Sequence, residues 1–189
     1  MSMKTTKLKI AFGVFFAIAL LCVAGYAGFY YTAGDSEPGD RGYIVRVGDE
    51  APDFEVELAD GRMVRLSDMR GKVVLLQFTA SWCSVCRREM PHIEREIWQK
   101  YKTREDFFLM GLDYDESRET ALRFAESTGI TYPLGLDAGA AVFRKYALPD
   151  AGVTRNVLID RDGRIVMLTR LFDENEFAQL VQQVDRLMQ

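Results

Sequence analysis

From Ile10 to Tyr31 the chain carries no charged side chain. A helix of that length, rising about 1.5 Å per residue, crosses the roughly 30 Å hydrocarbon layer of a bilayer, so the stretch predicts a transmembrane anchor. Residues 32–47 are rich in Gly and Asp, show no sustained period and predict a linker. From Gly48 the pattern becomes that of a folded domain, 48–189. Phe54–Leu58 and Met63–Leu66 flank Ala59-Asp60-Gly61, a hairpin signal with Asp-Gly at the turn. Val73–Phe78 is a nearly continuous apolar run, the mark of a strand buried on both faces.

Beyond that run the period changes. Met90, Ile93, Ile97, Trp98 and Tyr101 recur at helical steps, with Arg88, Glu94, Arg95 and Lys102 largely off the stripe. Phe107–Leu112 predicts the next strand, Arg118–Ser127 a helix ended by Gly129, and Ala138–Lys145 a shorter helix. Val157–Asp160 and Arg164–Leu168 surround Arg161-Asp162-Gly163, a second hairpin. The last helix presents Phe177, Leu180, Val181, Val184 and Leu187 as its apolar face. Strands alternating with helices, then an antiparallel hairpin and a closing helix, predict an α/β domain: a mixed sheet with helices on both faces.

Charge sets the expected topology. Lys4, Lys7 and Lys9 are the only charges before Asp35, while the whole chain carries a net −4. Positive residues ahead of an apolar span stay in the cytoplasm, so 1–9 is expected there and the domain on the far, periplasmic side of the inner membrane. Tyr26, Phe29, Tyr30 and Tyr31 gather where aromatic rings favour the interface. A cleaved signal peptide, with Gly25 and Ala27 as small residues near a cleavage site, is the competing reading. Cys22 would suit a lipid-attachment site, but Leu21 stands where Gly or Ala is needed; in the span it is a small apolar residue. All three readings export the domain. Its acidic balance argues against nucleic acid as a partner.

The candidate chemistry lies at Trp82-Cys83-Ser84-Val85-Cys86, between the buried strand and the helix after it. A thiol at a helix N-terminus meets the positive end of the macrodipole and unpaired backbone N–H groups, both of which favour thiolate. Cys83 is therefore the expected nucleophile. Cys86, one turn into the helix, reaches back to close a small ring and is the expected resolving thiol. Structural zinc needs four ligands, and beyond the pair the obvious candidates are His92 and Cys22. A merely structural disulfide is the stronger competitor, yet so small a loop restricts the unfolded chain little.

Leu66 through Cys83 (LSDMRGKVVLLQFTASWC), continued by Arg87, Glu89 and Pro91, resembles the membrane-anchored thioredoxin-like reductases of the cytochrome c maturation type, within the wider peroxiredoxin and thiol-reductase superfamily. The likeness extends through Tyr132-Pro133-Leu134 and Val157–Gly163 and covers nearly all of Val47 to Gln189. It implies a thioredoxin core with an N-terminal hairpin and an inserted helix. It also implies dithiol exchange with protein thiols and disulfides, served by a membrane electron donor or acceptor, with no cofactor and no metal.

The departures define what remains open. Where thioredoxins carry a buried Asp before the nucleophile, this chain has Gln77, which cannot accept a proton. Glu89 is a possible substitute for proton transfer, set against the plainer reading of a solvated helix charge. His92 reads as a helix residue. Peroxiredoxins carry Pro and Thr at the positions of Leu76 and Ala80, so the peroxide pocket is not encoded, and without those loop residues Arg155 makes a poor case as a peroxide ligand. A thiol peroxidase and a redox-inactive client-binding module are the alternatives. Counting back from Asp160, Thr154 takes the place of the cis-proline that faces the cysteines in the family, which predicts a trans Val153-Thr154 peptide. Trp82, Val153 and Thr154 are expected to form the substrate-binding loop. Ser84-Val85 favours a reductant only weakly.

Overall fold

A computed structural model describes residues 42–189, which fall within one compact unit, Pro38–Gln189. The expected anchor, 10–31, lies outside the described residues. Among the described residues no helix is long and apolar enough to cross a membrane.

The five-stranded sheet is built around β3 (Val73–Thr79), whose seven residues are all buried. β3 runs parallel to β4 (Phe107–Tyr114) and antiparallel to β6 (Arg155–Ile159). β5 (Leu134–Asp137) extends the sheet beside β4 in parallel, and β7 (Ile165–Arg170) beside β6 antiparallel, giving the order β5-β4-β3-β6-β7. A separate two-stranded ribbon pairs β1 (Glu55–Glu57) with β2 (Met63–Arg65). Its turn uses Gly61 at φ +91°, a conformation that residues with a Cβ rarely adopt. The second expected hairpin is β6–β7, with the Asp160 carboxylate accepting from the backbone N–H groups of Asp162 and Arg164.

Alternation along β3 sends consecutive side chains to opposite layers. Phe78 packs edge-on against Phe143, with ring centroids 5.4 Å apart, and also meets Tyr146; both belong to α3 (Phe143–Tyr146). Gln77 and Thr79 point the other way, to Glu89 and Met90 of α1 (Ser84–Ile93). Helices therefore cover both faces, as the pattern predicts. α1 contains Pro91, which lacks the N–H for an intrahelical bond, and it widens into a π-helical stretch at Glu94–Trp98 before ending with Gln99–Tyr101. α2 (Arg118–Thr128) is capped by the Ser117 side chain and stopped by Gly129 at φ 70°. α4 (Glu174–Leu187) is capped by Asp173 and buries Phe177, Leu180 and Val184.

Three expectations change. The predicted helix Ala138–Lys145 is broken: Gly139 at φ 62° interrupts the short 3-10 turn Ala138–Ala140 from within, and the Asp137 carboxylate accepts from Val142 N and Phe143 N to start α3 afresh. The pattern did not predict β5. It is four residues long and contains Gly135, where an added Cβ would stand 3.1 Å from both Leu112 and Val56. A short strand admitting so close a neighbour carries little periodic signal. Finally, the fold begins before Gly48. Tyr43 and Val45 are buried, and the Tyr43 hydroxyl donates to the carbonyls of Asn156 and Thr169, so the domain takes in the end of the stretch read as a linker.

Candidate active site

β3 ends at Thr79 and α1 begins at Ser84, which puts Cys83 at the N-cap. The Cys83 sulfur accepts a hydrogen bond from Cys86 N at 3.1 Å, the role Ser or Asp plays in an ordinary cap. A disulfide joins Cys83 to Cys86 across a Cα separation of 5.3 Å. The two cysteines are unequal: Cys83 is 8% exposed and Cys86 is fully buried. An incoming group meets Cys83 first.

The residues before the pair are held from several sides. Glu116 accepts from both the N–H and the hydroxyl of Ser81, each at 2.6 Å. Arg87 donates to the Ser81 carbonyl and lies over the Phe124 ring. Trp82 stands 64% exposed beside the pair and meets the Tyr114 ring edge-on. Opposite the cysteines, Val153 and Thr154 are buried. Thr154 Oγ1 lies 3.0 Å from Cys83 Sγ and 3.2 Å from Cys86 Sγ. No cis peptide bond occurs among the described residues, so Val153-Thr154 is trans. Arg155 points elsewhere, its guanidinium 4.5 Å from the Tyr43 ring centroid. His92 pairs with Glu96 and packs on Phe172, away from the chemistry.

Glu89 corrects the reading of a solvated helix charge. It is 1% exposed, one turn after Cys86. Gln77 Nε2 donates to one carboxylate oxygen at 3.0 Å and Asn156 Nδ2 to the other at 2.7 Å. Tyr132 OH in turn donates to Gln77 Oε1 at 2.6 Å, which fixes the orientation of that amide. Burial pushes the Glu89 carboxyl up to about 7, the two amide hydrogen bonds hold it down in part, and the Glu176 charge adds to the rise. Gln77 has thus lost the strand carboxylate, and α1 returns one to the same layer.

The sequence reading missed a second carboxyl group. Asp113, at the end of β4 in register with Thr79, is fully buried, and among the described residues neither of its oxygens receives a hydrogen bond. Burial first, and then the neighbouring Glu116, push it up to about 7. A charged residue directly after an apolar strand was the available signal. Asn156 and Tyr132 gave none, because an amide or phenol in a strand or loop reads the same whether or not it faces a carboxylate.

A buried carboxyl behind a helix-start disulfide, on a mixed sheet with helices on both faces, defines a thioredoxin-like thiol:disulfide oxidoreductase. The chain belongs to the Redoxin family, whose profile matches residues 46–184. It is 31% identical over 153 residues to the thiol-disulfide oxidoreductase ResA of Bacillus thuringiensis, covering 81% of this chain and 84% of that one. Among solved structures it is similar to a candidate protein disulfide isomerase from Bacteroides thetaiotaomicron, at 65% identity and a TM-score of 0.76 over 77% of this chain and 92% of that one. The thioredoxin domain of a thiol-disulfide oxidoreductase from Bacteroides vulgatus matches at 25% identity and a TM-score of 0.63, over 74% and 97% of the two chains.

Proposed function

We propose that this enzyme reduces protein disulfides on the outer side of the cytoplasmic membrane, held there by residues 10–31 and recharged by a membrane electron donor. The observation that carries the mechanism is the inequality of the two cysteines, Cys83 at the helix cap and 8% exposed, Cys86 fully buried one turn further on. Cys83 thiolate attacks a client disulfide, forming a mixed disulfide and releasing one client thiolate. Cys86 then attacks Cys83 Sγ, which frees the second client sulfur and leaves the pair oxidised. Cys86 must shed a proton to do so, and Glu89, with its carboxyl near 7 and one turn away, takes it. Trp82 and the Val153-Thr154 segment flank the pair and would contact a docked extended peptide. The relatives named as thiol-disulfide oxidoreductases support protein thiols and disulfides as substrates.

Replacing Cys86 by serine removes the resolving step, so the Cys86→Ser chain should accumulate client proteins as mixed disulfides released by dithiothreitol. A trap that stays empty while the parent consumes peroxide would favour a thiol peroxidase. Disulfide-independent client binding would favour a redox-inactive module. Topology has its own check. A reporter active only outside the cytoplasm, fused after Gln189, is expected to work, and an inactive fusion contradicts export.

A further inference from the structure

Thr154 is the feature of the site that client docking leaves unexplained. A residue that only lines a peptide groove need offer no more than backbone, yet this side chain is buried at 2% exposure and turned inward. Its hydroxyl oxygen sits within 3.0 Å of one sulfur and 3.2 Å of the other. Its carbonyl accepts from Leu171 N at 3.1 Å, and β6 begins at the next residue, so the main chain that carries the hydroxyl is anchored on two sides. A proline at this place would present a hydrocarbon ring and no donor.

We propose that the Thr154 hydroxyl is a catalytic donor that stabilises whichever active-site sulfur carries negative charge, adding a side-chain donor to the stabilisation that helix position gives Cys83 alone. The hydroxyl has one proton and two sulfurs within reach, so it serves them in turn by rotation about its C–O bond. In the reduced enzyme it donates to Cys83 thiolate, adding to the helix terminus and to Cys86 N–H. When Cys83 becomes neutral in the mixed disulfide, the hydroxyl turns to Cys86 and favours its thiolate as the proton leaves for Glu89. In the opposite direction a donor thiolate attacks Cys83 Sγ, the Cys83–Cys86 bond breaks, and its electron pair remains on Cys86, where the same hydroxyl meets it. No atom of Thr154 is consumed in either direction. The same donor stabilises the dithiol relative to the disulfide and so makes the pair more oxidising than it would otherwise be.

This inference rests on dithiol exchange as the reaction, and its test is separable from that reading. The full-length chain is reduced and alkylated across pH, and Cys83 is followed by peptide mass so that Cys22 does not contribute. Thr154→Val, which keeps shape and loses the hydroxyl, is expected to raise the Cys83 midpoint by about one pH unit, a tenfold fall in thiolate fraction at lower pH. Its equilibrium with a glutathione couple should move about tenfold toward the disulfide, by the same linkage. Thr154→Ser restores the donor and should return both readouts to the parent value. Thr154→Ala, smaller and free of overpacking, is expected to match the valine variant and replaces it if that variant does not fold. Equal midpoints in parent, Val and Ala chains, or a Ser chain that behaves like Val, overturn the proposal. Insulin reduction by the parent reports on dithiol exchange itself and fails independently of these midpoints.

Discussion

Glu89→Gln is expected to slow disulfide reduction at pH 7 on the order of a hundredfold and, at the same time, to make the domain more stable above neutral pH. Both effects have one origin. Burial holds the carboxyl up to about 7 against an ordinary value of 4.5, so the folded state binds this proton more tightly than the unfolded chain does. Below about pH 4.5 the group is protonated in both states and costs nothing. As pH rises toward 7 the unfolded chain ionises first, and the folded protein loses about 3 kcal/mol relative to it, a loss complete once the pH passes the folded value. Glutamine has no such proton, so its stability curve should lack this slope. The amide also fits. Asn156 Oδ1 has no partner among the described residues, and a flip of that amide would present it to the new NH2 while Thr169 Oγ1 donates to it. Denaturant melts at pH 5 and 8, set beside insulin reduction, check the pair of effects. If the variant keeps parental rates near neutrality, Glu89 is not the proton acceptor, whatever its effect on stability. Asp113 adds a slope of the same sign between its ordinary 3.8 and about 7, which Asp113→Asn should remove separately.

Cys83→Ser should leave no measurable turnover, whereas the Cys86→Ser chain retains the first attack. Cys83 alone combines access with an environment that favours thiolate: the helix N-cap, the Cys86 N–H and the Thr154 hydroxyl. Cys86 shares the hydroxyl but is sealed from solvent. In the reduced chain Cys83 is expected to titrate within the range of about 3.5 to 7.5 seen for activated cysteines. Cys86 should alkylate far more slowly at neutral pH. The order of alkylation, read by peptide mass, decides the assignment: faster modification of Cys86 would exchange the two roles. Residual insulin reduction by Cys83→Ser, above the uncatalysed rate, would place the nucleophile elsewhere.

Features that depend on short stretches of chain are legible before any contact is known. Val73–Phe78 had to be a central strand because no polar face interrupts it, and β3 is buried along its whole length. Asp60-Gly61 and Asp162-Gly163 mark hairpin turns because glycine relieves a local steric constraint. Cys83 and Cys86 could be paired from their spacing at the start of a helix, since an α-helix brings such neighbours together within one turn. The five-strand order, β5 at one edge and the restarted α3 required contacts between segments distant in the chain. Gly135 is legible only once Val56 packs over it, and the Ala138–Lys145 break only once Asp137 caps Val142 and Phe143. Glu89 shows the division most clearly. Its distance from Cys86 along α1 is a property of the sequence, but its charge state is not. Burial by the sheet, with Gln77 from β3 and Asn156 from β6 as donors, turned a carboxylate that reads as a surface charge into a group poised near neutrality. Desolvation depends on everything that surrounds a group in space, and only the tertiary structure assembles those surroundings.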